Sequence, residues 1–95
     1  MALKRVVEFT QALAARQLPA QIHALKSTDP EVVRRAADFL FSMGVDAQAA
    51  IPALQNRLTE IRQDPARYDG RWELPRRNIE MAIQFITQES AKGRR

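Results

Sequence analysis

The chain has 95 residues, 45% apolar and 27% charged, with three Gly and five Pro, a composition that folds as one small domain rather than as two cores or a disordered chain. With no Cys and a single His, it excludes disulfides, thiolate metal sites and almost all imidazole chemistry. Of the net charge of +4, three charges sit at the C-terminal tip: residues 1–91 hold 12 basic and 11 acidic groups, so the body, at +1, is near neutral.

Apolar residues repeatedly recur at three and four, and aromatic and β-branched residues never alternate with period 2, so an all-α fold is expected. The first stripe, Leu3, Val6, Val7, Thr10, Leu13 and Ala14, predicts a leading helix over 2–17, with Phe9 off the stripe. Leu18-Pro19 should interrupt it, because proline disfavours helical backbone in the residue before it and suits the first turn of a new helix. A short helix from Pro19 to about Ser27 follows, with Ile22 and Leu25 inward.

Asp29-Pro30 then reads as an N-cap followed by a first-turn proline. From Val32 to Met43 only Arg34, Arg35, Asp38 and Ser42 are polar, which marks this helix as the most buried. Gly44 is placed to end it in a left-handed conformation. Asp46 is expected to cap a helix over 47–63 with an Ile51, Leu54, Leu58, Ile61 stripe, kinked at Pro52. Pro65 and Gly70 break periodicity across a loop at 64–73. Pro75 should start a last helix through about Glu89, with Ile79, Ala82, Ile83 and Ile86 inward and Arg76, Arg77, Glu80, Gln84 and Gln88 outward. The domain spans 1–91, and 92–95 form a basic, frayed tail.

The helices repeat. Leu18-Pro19-Ala20 and the closing Leu25 fall on Ile51-Pro52-Ala53 and Leu58, and Val33, Ala36, Ala37, Phe39 and Leu40 fall on Ile79, Ala82, Ile83, Phe85 and Ile86. The pairs are therefore 19–44 and 47–89, the second carrying the inserted loop. Stacked helix pairs of this size are the signature of an α-solenoid.

The run from Ala24 through Asp29-Pro30-Glu31-Val32-Val33-Arg34-Arg35-Ala36-Ala37, with Leu40, Gly44 and Ala49-Ala50-Ile51-Pro52-Ala53-Leu54, resembles the HEAT-like repeat of the phycobilisome-lyase type. The likeness covers residues 18–58 well and 74–88 loosely. It implies a right-handed α-α superhelix, either a short HEAT-like solenoid or a compact bundle of about five antiparallel helices. Such repeats chiefly supply a surface, in adaptors, chromophore-lyase partners and DNA-repair glycosylases alike. Two pairs and a leading helix fall short of the roughly three repeats a solenoid needs. Either the chain closes on itself or another chain completes it.

Nothing in the sequence carries a reaction. There is no carboxylate pair, phosphate loop, nucleophile elbow or zinc spacing, and His23 has no converging partners. Glu31 with Arg35 and Arg34 with Asp38 read as ordinary helical ion pairs, and Asp38 with Ser42 shares their spacing. The loop is more informative: Arg67, Tyr68, Arg71 and Trp72 gather the only Tyr and the only Trp beside two Arg, the residue types enriched in binding hot spots. The structural alternative has Trp72 and Leu74 stapling the last helix while Tyr68 packs on its neighbour. Arg34, Arg35, Arg76 and Arg77 are further contact candidates, and Met81 with Phe85 forms a candidate self-association patch. The expectation is a non-catalytic protein-interaction module or adaptor, soluble and cytoplasmic, with no cofactor, metal or membrane. Its partner is another protein or a second copy. The alternative is a nucleic-acid binder using Arg71, Arg76, Arg77 and the basic tail on phosphates.

Overall fold

The Asp29 side chain accepts the Glu31 backbone N–H at 3.0 Å, Pro30 occupies the first helical position, and the Ser27 hydroxyl oxygen accepts the Asp29 N–H. The expected start signal is thus in place: two orphan donors are met by short polar side chains, and the proline needs no donor. In the computed structural model of the protein, residues 16–92 are described. They form helix α1 (16–24), α2 (Pro30–Met43), a 3₁₀ segment (Gly44–Ala50), α3 (Ile51–Gln63), a 3₁₀ turn (Gly70–Trp72) and α4 (Glu73–Lys92). No strand occurs among the described residues. Residues 1–15, which include most of the expected leading helix at 2–17, and 93–95 of the basic tail lie outside them.

Several boundaries differ from those read off the sequence. The chain is helical without a break from 16 through Leu18 and Pro19 to 24, so the expected interruption is absent. Asp46 does not cap a helix at 47. Gly44–Ala50 winds as 3₁₀, and α3 begins at Ile51, with Pro52 in its first turn where its missing N–H has no partner to lose. A kink at Pro52 is therefore unnecessary. α4 starts at Glu73 rather than Pro75, and runs to Lys92 rather than Glu89. Gly44 does take positive φ, but at φ 62°, ψ −133° it lies outside the left-handed helical well, in a region essentially reserved for glycine.

The core lies where the four helices meet. Val33, Ala36, Ala37 and Leu40 of α2 face Ile79, Ala82 and Ile86 of α4, and α2 packs chiefly on α4. Leu54, Leu58 and Ile61 of α3 and Leu25 after α1 close it from the other side. Small residues make the close approach: Ala36, Ala37, Ala47, Ala50 and Ala82 are all buried, so backbones rather than long side chains set the spacing. Of the apolar set on α2, Val32 is turned outward at 39% exposure, because a helix this amphipathic cannot bury residues on every side.

Candidate interaction surface

The corner between α3 and α4 is built on two aspartates. The Asp64 carboxylate accepts the Arg67 backbone N–H while its carbonyl accepts the Tyr68 N–H. Asp69 repeats the device, taking the Arg71 N–H and side-chain Nε–H on its carboxylate and the Trp72 N–H on its carbonyl. Asx turns of this kind hold a loop in one conformation with local bonds alone. The Arg71 guanidinium and backbone N–H together keep the Asp69 carboxyl below its ordinary range.

Trp72 is 5% exposed and belongs to the core; its ring meets the half-buried Tyr68 edge-on, with centroids 4.9 Å apart. Both rings flank a residue that the sequence did not single out. Arg57 of α3 is 8% exposed, its guanidinium carbon 4.9 Å from the Trp72 ring centre and 5.2 Å from that of Tyr68. Nη2 donates to the Ser27 carbonyl and Nη1 to Glu60, while Nε is buried without a partner. One cation thus ties the α1–α2 turn, α3 and the corner loop together. The clue was present: Arg57 falls on the Leu54, Leu58, Ile61 face of α3, where an arginine is buried only if aromatic faces and carbonyls receive it.

The remaining candidates fall into four groups. Arg67 and Arg71 are exposed at the corner, Arg67 leaning over the outer side of Tyr68 at 5.6 Å. Beside them opens a groove of about 230 Å³, lined by Arg62, Tyr68, Trp72 and Arg76 among others. Arg76 and Arg62 both bond to Glu80, which clamps α3 to α4, and Arg77 approaches Glu73 at 3.9 Å. Partial burial works against a charge on Glu80, but the two guanidinium groups outweigh it and lower its pKa.

Arg34 and Arg35 stand apart on α2. Both bond to Glu31, so Arg34 is not paired with Asp38, and the hydrogen bonds from Arg34 foremost bring the Glu31 pKa down to about 2. Ser42, also spaced to meet Asp38, donates instead to the Phe39 carbonyl. On α4, Met81 is 48% exposed and Phe85 half-buried, its ring 4.7 Å from that of Phe41.

Among the described residues no three His, Cys, Asp or Glu side chains group as metal ligands, and no helix is long and apolar enough to cross a membrane. In comparisons with family models, curated proteins and solved structures, none matches this chain.

Proposed function

We propose that the chain is a non-catalytic protein-interaction module built on two HEAT-like helix pairs, an adaptor that presents the α3–α4 corner to a protein partner. The observation that carries this reading is the corner itself. Its aromatic anchor is sunk against Arg57 and its backbone is held by Asp64 and Asp69, so Arg67 and Arg71 stand exposed on a surface already ordered before binding. Preorganised presentation is how loops on rigid scaffolds gain affinity.

The repeat reading draws support from burial at matched positions. Val33 and Ile79, Ala36 and Ala82, and Leu40 and Ile86 are equally deep, and Phe39 and Phe85 are both half-buried, whereas Ala37 is buried and its match Ile83 only half-buried. Charge favours a protein over phosphate as the partner. Arg71, Arg76 and Arg77, the arginines a nucleic-acid groove would use, each lie beside a carboxylate, of Asp69, Glu80 and Glu73 respectively.

The test is a pull-down from native lysate with and without nuclease, comparing wild type with Arg67→Ala plus Arg71→Ala. Both side chains are exposed, so the variant keeps the fold, which circular dichroism checks. Loss of a nuclease-insensitive protein with the double variant supports the adaptor. Recovery of nucleic acid, unchanged by the two substitutions and removed by moderate salt, overturns it.

A further inference from the structure

A second surface, remote in kind from the charged corner, is apolar and has its own geometry. Leu74 and Met81 of α4 are 57% and 48% exposed. They stand seven residues apart, two helical turns, with Phe85 completing the same stripe. Phe41 of α2 borders the stripe through its contact with Phe85. Seven-residue apolar spacing on an exposed helix face is the pattern by which parallel helices meet side by side.

The charges flanking this stripe point to the occupant. Asp38 is exposed and lies on the α2 side with Phe41, Asn78 and Met81; the cation that attracts it is Arg34 on its own helix, which is bonded to Glu31. Arg77 precedes Asn78, the α4 residue beside Asp38, and by helical spacing falls on the other flank of the Leu74–Met81 line, 3.9 Å from Glu73. A two-fold axis running along α4 exchanges left and right while keeping height. It therefore sets Asp38 of one copy against Arg77 of the other, twice, and brings Leu74 and Met81 onto their own counterparts. An unrelated partner would need both charges by coincidence, whereas a second copy supplies them by symmetry.

The geometry points to a parallel homodimer through α4, sealed by Leu74 and Met81 and registered by reciprocal Asp38–Arg77 pairs. It uses a different face from the proposed corner site, and stands or falls separately from it. Two exposed side chains make a small patch, and a small interface gives weak association.

Sedimentation equilibrium of the full chain from about 5 to 500 μM tests it. Wild type is expected to shift from one subunit to two. Met81→Glu and the single charge reversals Asp38→Arg and Arg77→Asp should each raise Kd about tenfold or more, and the double reversal should recover most of the loss. Circular dichroism and thermal melting check that each variant is folded. A wild-type monomer throughout the range overturns the dimer, as does a dimer indifferent to Met81→Glu. A double reversal no better than either single one overturns the reciprocal pairing.

Discussion

The Arg57 guanidinium lies 4.9 Å from the ring centre of Trp72, inside the protein, with its Nη2 on the Ser27 carbonyl. This pair joins segments that are distant in the sequence. It also explains why a loop rich in binding-type residues is ordered: its largest side chain is spent on the core, leaving the arginines to face outward.

Replacing Arg57 should therefore unfold more than a surface arginine would. Arg57→Ala removes the cation–π contacts and leaves the Ser27 carbonyl without its donor, a loss of about 2–3 kcal/mol. Arg57→Met, which keeps the volume and removes the unpartnered Nε, should lose about 1 kcal/mol less. Urea denaturation followed by circular dichroism measures both; equal losses would show that charge rather than packing dominates.

Trp72 is the only tryptophan and is buried, so its fluorescence reports on the corner alone. Its emission should be blue-shifted in the native protein and move red on unfolding. Trp72→Ala should cost about 3–5 kcal/mol, and Trp72→Phe clearly less because most of the ring volume remains. Emission at the wavelength of free tryptophan in the native state would contradict the buried position.

The glycines separate two kinds of cost. At Gly44 an added Cβ meets only the Phe85 ring at 3.6 Å, an ordinary contact, but φ is 62°. Gly44→Ala should thus destabilise by about 1–3 kcal/mol through backbone strain. Gly70 has nothing within 4 Å and no positive φ, so Gly70→Ala should be neutral or stabilising by up to about 1 kcal/mol. Thermal melts of the two variants give the contrast directly.

Acid should weaken the fold through Glu31 and Glu80, whose folded pKa values are depressed. A depressed carboxylate contributes its full stability above its unfolded pKa and loses it as pH falls through the folded value. For Glu31 that window runs from 4.5 down to about 2. Glu80 is the more informative because its two arginines come from both α3 and α4. Glu80→Gln should lower stability at neutral pH by about 1 kcal/mol or less and flatten the decline on acidification. An unchanged acid limb would show that the clamp does not contribute.

Much of the helical plan was legible in the chain because it rests on local chemistry. Asp29 and Pro30 start α2 by bonds and φ restrictions that need no tertiary contact, and the spacing of Ile79, Ala82 and Ile86 marks the inner face of α4. Residues 47–50 wind as 3₁₀ instead of starting a helix capped by Asp46 because their course depends on context. Gly44 turns the chain beneath Phe85, and Ala47 and Ala50 pack into the core from a tighter 3₁₀ winding.

The candidate corner was legible only as a list of residue types. Sequence spacing could place Tyr68, Arg71 and Trp72 near one another but could not say which face inward, because Arg57, the group that receives the rings, is remote along the chain.

What the sequence by itself determined is the all-helical class, the α2 start and the near-neutral body beneath a nominal +4 charge, since these follow from composition, period and caps. Only the tertiary structure decided that Trp72 is buried while Arg67 and Arg71 are exposed, that Glu80 clamps two helices, and that Asp38 and Arg77 flank one apolar stripe. The reason is physical: caps and periodicity act within a few residues, whereas burial of a ring or a guanidinium depends on groups that the fold alone brings together.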